Sequence, residues 1–270
     1  MNAYRTVLYL CTLAILNLDV CLATETLQYG GSGKPSNKTD VEGYLKRYGY
    51  LTERPYGSAS LGEMTDALKK FQGFLQLNIT GQADQATLKV MSMPRCGVSD
   101  VMDPENTKVA KWNITRLTYK FIKFSQKLSE SDVRTAVSNA FKLWAESSKL
   151  NFVEDKTSGT IEIQFRKGAH GDGYHFDGKY GVLAHAFFPI PRPIGGDTHF
   201  DDDEAWRIDG GKGADLYYIA THEFGHALGL PHSGNKDSVM KPYYAGFVPN
   251  LKLHSEDVTE IQKRYGTPKK

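Results

Sequence analysis

His222-Glu223-Phe224-Gly225-His226-Ala227-Leu228-Gly229-Leu230-Pro231-His232 carries more chemistry than any other run in this chain. On a helix, residues four apart share a face about one turn apart, so His222 and His226 present both imidazoles to one point. Glu223 sits beside His222, where its carboxylate reaches water at that point without ligating. Gly229 accepts a backbone conformation that stops a helix and turns the chain, which brings His232 back as a third ligand. Three protein ligands and one open position are the mark of a catalytic zinc site. Zinc in such a site polarises a carbonyl and lowers the pKa of water from ~16 to near ~7. Glu223 is then placed to take the proton of the attacking water and pass it to a leaving amine. The bland alternative, an amphipathic helix whose histidines share a face by chance, leaves Glu223, Gly229 and His232 unexplained.

Outward from this run, the texture from Leu117 on mixes strands and helices. Leu117–Phe124 alternates as a strand, as does Ile161–Phe165; Phe152-Val153 and Val182–Phe188 read as two more. Val133, Ala136, Val137, Ala140, Phe141 and Trp144 give Asp132–Glu146 one apolar face. Asp215–Leu230 reads as a helix ended by Gly229 and Pro231, and Ser255–Tyr265 as a last helix with Ser255 as N-cap. Before residue 93 the periodicity is helical only. Val41, Tyr44, Leu45 and Tyr48 share a face; so do Met64, Ala67, Leu68, Phe71 and Leu75; a third short helix spans Asp84–Met91. Gly97–Lys111, with Asp103-Pro104-Glu105-Asn106, reads as an exposed connection. The expected class is α+β, a small three-helix bundle followed by a mixed domain.

The 33 basic and 31 acidic residues, net charge +2, give no sign of a nucleic-acid or anionic-membrane partner. Arg5, an apolar run from Val7 to Leu18 and small residues near Ala23 describe a secretory signal over residues 1–23. The run is shorter than the ~20 residues of a spanning helix. Cys11 and Cys21 fall within that signal, leaving Cys96 unpaired: either an inert buried thiol or one with a task. Three sequons, at Asn37, Asn78 and Asn113, suit a secretory route.

The run from His222 to His232 resembles the metzincin pattern, and its continuation to Ser233 resembles the matrix metalloproteinases, the matrixins. Met240, in Ser238-Val239-Met240, matches the family's methionine turn beneath the zinc. Pro94-Arg95-Cys96-Gly97-Val98-Ser99-Asp100 is similar to the matrixin cysteine switch, with Ser99 where a proline is usual. The resemblance implies that Cys96 fills the fourth position of the catalytic zinc in a latent form. Thiolate suits zinc on physical grounds as well. The family frame is a peptidoglycan-binding-like helical prodomain, then a catalytic domain with a twisted mixed five-stranded sheet and three helices. On this chain it implies a prodomain over 24–103 and a catalytic domain over 104–270.

A second cluster of histidines and carboxylates spans His170 to Glu204. Three histidines and an aspartate make a closed four-ligand set, and the remaining carboxylates suit calcium. The resemblance implies a structural zinc at His170, Asp172, His185 and His199, and calcium near Asp177, Gly178, Asp201 and Glu204. A second calcium would use Gly195 and Asp197; Thr160 stands where an upstream acidic ligand is usual, with Glu162 near. Tyr218, four residues before His222, borders the family's specificity pocket and would make it shallower than leucine does, favouring medium aliphatic residues after the cut. Ala184 lies on the strand Val182–Ala186, expected to hold extended substrate by strand addition.

The expected product is thus a secreted, extracellular, monomeric zinc endopeptidase, made latent and acting on extracellular proteins. Proteinaceous metalloproteinase inhibitors are its expected partners, and it spans no membrane. The layout resembles the minimal matrilysin type, without a propeller. No Arg-x-Lys-Arg lies between Cys96 and Trp112, so activation is expected from another protease or from autolysis. An inactive binding protein would have lost Glu223 or a ligand, and a cell-wall hydrolase would not need Cys96.

Overall fold

The structure, a computed structural model, describes residues 38–52, 57–102, 111–190 and 193–268. The signal, the lead-in, Asn37 and the expected boundary at 103/104 lie outside the described residues. Three helices come first: α1 (Lys38–Arg47), α2 (Leu61–Phe74) and α3 (Gln85–Met91). α2 starts in a capping box, Ser60 accepting from Glu63 N while Glu63 accepts from Ser60 N. Asp84 caps α3 by accepting from Thr87 N. Their apolar faces meet around Leu45 and Phe71, both fully buried. Gln72, buried at the same depth, ties the connection into α3 by bonding Thr80, Gly81, Gln82 and Thr87.

A two-residue strand β1 (Arg95–Cys96) follows, then β2 (Arg116–Lys123), α4 (Glu130–Ser147), β3 (Asn151–Glu154), β4 (Ile161–Arg166), β5 (Val182–Ala186) and β6 (Thr198–Asp201). A small pair, β7 (Trp206–Arg207) and β8 (Ala214–Asp215), leads into α5 (Leu216–Ala227), and α6 (Ser255–Tyr265) follows. The main sheet runs β1-β5-β6-β4-β2-β3; β3, β2, β4 and β6 are parallel and β5 is antiparallel to β6. Five of the six strands, β2–β6, lie in the segment expected to hold a five-stranded sheet. The extra strand comes from the segment after the helical bundle, which lies along β5 in parallel register, Arg95 opposite Val182 and Cys96 opposite Ala184.

Alternation explains β4, whose Ile161, Ile163 and Phe165 point into the core. β6 escaped that signal because all four of its residues are buried, His199 and Asp201 among them. α4 backs the sheet and locks α5. Phe141 stacks on Phe224 with centroids 3.8 Å apart, and Trp144 Nε1 donates to Thr221 O at 2.9 Å. Two further expectations change. His254, not Ser255, caps α6, because its ring accepts from Glu256 N. Gly97–Asp100 is no exposed link: Asp100 is buried and the loop lies against β5. Among the described residues no helix is long and apolar enough to cross a membrane.

Candidate metal centre

α5 begins at Asp215, whose side chain accepts from Tyr218 N at 2.7 Å. It ends in a Schellman motif, Leu230 N to Gly225 O and Gly229 N to His226 O, with Gly229 at φ +97°. That reversal carries His232 back over the helix. His226 Nε2 lies 3.2 Å from His222 Nε2, which lies 3.3 Å from His232 Nε2. Nitrogens ligating one tetrahedral zinc at ~2.0–2.1 Å stand about 3.3 Å apart. Cys96 Sγ completes the set, the four donor atoms all within 4.8 Å of one another.

The outer nitrogens fix the tautomers. His222 Nδ1 donates to Val239 O and His226 Nδ1 to Leu230 O, each at 2.7 Å, and His232 Nδ1 donates to Asp100 Oδ1 at 2.7 Å. Each Nε2 lone pair is thereby turned inward. Burial lowers the basicity of all three rings, His222 to about 3, so they are neutral as ligands must be. Three inward lone pairs cannot satisfy one another, and a divalent cation resolves them. Burial and the Glu223 carboxyl push the Cys96 thiol up; a cation at the focus of these donors reverses that balance. The donor set fits zinc.

Glu223 is buried, its Oε2 3.5 Å from Cys96 Sγ and its Oε1 without a hydrogen-bond partner among the described residues. Burial raises its pKa to about 8, where a carboxylate becomes an effective base. Met240 lies beneath: a Cβ on Gly225 would stand 2.2 Å from its sulfur. Only a glycine lets the methionine sit this close to the helix.

The Cys96 loop is clasped on both sides. Arg95 N donates to Gly181 O and Gly97 N to Ala184 O; opposite, Cys96 N donates to Pro242 O and Tyr244 N to Pro94 O. Arg95 is 3% exposed, its guanidinium 3.3 Å over the Tyr48 ring and 2.5 Å from Asp100 Oδ1, with a bond to Tyr44 Oη. Tyr50 Oη donates to Asp100 Oδ2 at 3.0 Å. The spacing of Tyr44 and Tyr48 marks only an apolar helix face, and nothing in it announces a cage for Arg95.

The second cluster also converges. Asp172 Oδ2 lies 2.9, 2.7 and 2.8 Å from nitrogens of His170, His185 and His199, and these two last rings meet at 3.2 Å. The four donor atoms fall within 4.8 Å of one another, which also fits a tetrahedral cation. Asp177, Asp201 and Glu204 gather nearby. Glu204 Oε1 accepts from Tyr180 N, Asp177 Oδ1 from Val182 N, and Asp201 Oδ2 is buried without a partner among the described residues. Burial raises Asp201 to about 6, with repulsion from Asp203 and Asp177 adding to it, and raises Glu204 to about 7, with repulsion from Asp201 and Asp177 adding to it. Gly178 approaches Asp201 through its backbone. Asp197, raised to about 7 by burial and by Glu162, faces Glu162, while Gly195 and Gly196 form the turn before it.

A neutral three-histidine focus beside a buried glutamate, carried on a capped helix under a mixed sheet, belongs to the metal-dependent hydrolase class of sites. The chain belongs to the matrixin family: the family model for matrixin matches residues 111–266, and the one for a putative peptidoglycan binding domain matches residues 36–91. It is 41% identical over 236 residues to a hatching enzyme of Paracentrotus lividus, covering 86% of this chain and 39% of that protein. It is 41% identical to matrix metalloproteinase-25 of Mus musculus, covering 83% and 40%, and 38% identical to the neutrophil collagenase of Homo sapiens, covering 87% and 51%. The chain thus spans between two fifths and half of these relatives' lengths.

Proposed function

We propose that this chain is a zinc endopeptidase held latent by its own N-terminal segment, exported, and directed at extended segments of extracellular proteins. The observation that carries this reading is the meeting of Cys96 Sγ, three histidine Nε2 atoms and Glu223 in one buried focus. His222, His226 and His232 would hold the zinc, with Cys96 as fourth ligand in the latent form. Zinc bound there supplies a Lewis acid for the scissile carbonyl and acidifies water. Glu223 accepts a proton from the attacking water and delivers it to the departing amine nitrogen. Once the Cys96 segment departs, β5 would offer its edge to an extended peptide, through the Gly181 and Ala184 carbonyls that now bind that segment.

Beside Glu223 a pocket lined by Leu183, Tyr218, Ile219, Pro242, Tyr243 and Tyr244 leaves about 20 Å³ free, room for roughly one water. Tyr218 is part of its wall, which supports cleavage before medium aliphatic residues. His170, Asp172, His185 and His199 would hold a second, structural zinc. Asp177, Gly178, Asp201 and Glu204 would hold calcium, and Gly195 and Asp197 with Glu162 a second calcium.

The test is cleavage of a quenched generic peptide by the full chain before and after a thiol-reactive mercurial. Silence turning to chelator-sensitive activity supports the reading, with Cys96→Ser active from the start and Glu223→Ala inactive throughout. Bound zinc with no activity after mercurial treatment would overturn it in favour of a binding role.

A further inference from the structure

Two of the three histidines of the proposed catalytic site are oriented by backbone carbonyls of their own neighbourhood: His222 by Val239 and His226 by Leu230. The third is not. His232 Nδ1 finds its acceptor on Asp100, 132 positions upstream. Asp100 is fixed from several sides. Its Oδ1 also accepts from Arg95 at 2.5 Å, its Oδ2 accepts from Tyr50 Oη at 3.0 Å, and its backbone N–H donates to Tyr48 O at 3.1 Å. The side chains of Asp100 and His232 are completely buried at this contact.

We propose that Asp100 is a positioning residue for the metal, a carboxylate that orients His232 and tightens the metal's hold in the latent chain, and that the hold loosens when the segment bearing Asp100 departs. The inference rests on the zinc reading above. A carboxylate hydrogen-bonded to a ligating imidazole fixes its tautomer and raises its basicity, and losing such a partner typically costs about 10–100-fold in metal affinity. Here the partner is detachable: it belongs to the segment carrying Cys96, so the departure of that segment removes two supports of the metal, the thiolate and the anion behind His232. Asp100 stands four positions after Cys96 in the same segment.

The experiment uses the full chain with Glu223→Gln, which prevents autolysis, loaded with Co²⁺ in place of the chelator-labile metal. Two quantities are read: the thiolate-to-cobalt charge-transfer band, reporting ligation by Cys96, and the rate of metal loss to excess chelator. For Asp100→Asn, an isosteric change that keeps an acceptor but removes the charge, the band is expected to persist while metal loss accelerates about 10-fold or more. Unchanged metal loss with the band intact overturns the proposal. Loss of the band along with the metal also overturns it, because Asp100 would then act only by placing Cys96. Should Asp100→Asn not fold, Asp100→Glu keeps the charge but displaces the carboxylate from His232 Nδ1 and carries the same test. Faster metal loss with the band kept supports the proposal, and a parental rate overturns it. If the parent binds no metal at the three histidines at all, the zinc reading itself fails, an outcome distinct from every one above.

Discussion

On the proposed reading, Arg95→Ala should free the Cys96 loop without cutting the chain. The guanidinium is almost wholly buried and lies between the Tyr48 ring, Tyr44 Oη, the Cys96 carbonyl and Asp100 Oδ1. Burial lifts the Asp100 carboxyl, but Arg95 and His232 outweigh it and hold its pKa near 2. Removing one partner of such a buried pair typically costs about 3–5 kcal/mol, since the survivor is left as an uncompensated charge. Undocking the Cys96 loop relieves that cost by exposing Asp100 to water, so the loss appears as a shift in the docked–undocked equilibrium. At 1.4 kcal/mol per decade the shift is roughly 100- to 4000-fold. The assay is the alkylation rate of Cys96, located by peptide mass mapping, in the full chain carrying Glu223→Gln. With reagent slow against reclosing, the rate reads the open population. Arg95→Lys keeps the charge but reaches only one of the four partners, and should fall between parent and Arg95→Ala. An Arg95→Ala rate within about threefold of the parent would refute the assignment of the clasp to this ion pair.

Other consequences are separable from this one. Gly234→Ala would put a Cβ 1.9 Å from the Phe74 carbonyl at the end of α2, so it should raise Cys96 alkylation as well, through a steric wedge and not a lost charge. Gly225→Ala drives a methyl into Met240 and to within 3.1 Å of Trp144; overpacking of this kind costs about 1–3 kcal/mol and should lower Tm, with Met240→Ala partly restoring it, whereas an unchanged Tm would mean the helix and the methionine turn are not in contact. Tyr218→Leu should deepen the pocket and move the preferred residue after the cut from valine-sized towards longer side chains in a peptide-library profile; no movement removes Tyr218 from the specificity wall. The Asp201–Glu204 pair gives a pH signature. Both pKa values are raised, so the cation-free fold binds more protons than the unfolded chain between the ordinary carboxylate range and about 7, and loses stability as pH rises through that window. Calcium should abolish the loss, and the Tm gained on adding it should be larger at pH 7.5 than at 5.5; an equal gain at both refutes a role for these carboxylates.

Where a residue's surroundings come from its own helix or strand, periodicity and spacing sufficed to locate it. His222, His226 and Glu223 needed one turn of helix, and His232 needed only the Gly229 reversal. The core of β4 and the apolar face of α4 were legible for the same reason. β6 was not, because a strand buried on both faces and holding His199 and Asp201 shows no alternation to count. The Cys96 loop stood between these cases. Arg95, Cys96 and Asp100 were readable as a group, but not the surface they press against. Gly234 has no unusual φ and no motif of its own. It has to be a glycine because the end of α2, some 160 residues earlier, lies against it.

That distinction has a physical consequence for latency. Apart from the Arg95–Asp100 pair, the contacts that hold the Cys96 segment are long-range: backbone bonds to Gly181, Ala184 and Pro242, the bond from His232 to Asp100, and the contacts of Tyr44 and Tyr48 with Arg95 and of Tyr50 with Asp100. The bonds to Gly181, Ala184, Pro242 and His232 form only once both halves have folded, so each becomes effective only on docking, and together they act as one cooperative unit. Cutting the chain inside that unit would release several at once. The thiol alone need not be strong, since the tyrosine cage and the strand pairing keep it at high effective concentration beside the three histidines. Tyr48→Ala tests this directly: it touches neither Cys96 nor any proposed ligand, yet it should raise the alkylation of Cys96 by at least about tenfold by removing the ring beneath Arg95, an aromatic contact worth ~2 kcal/mol when desolvated. A parental rate would mean the thiol's own bond carries latency by itself.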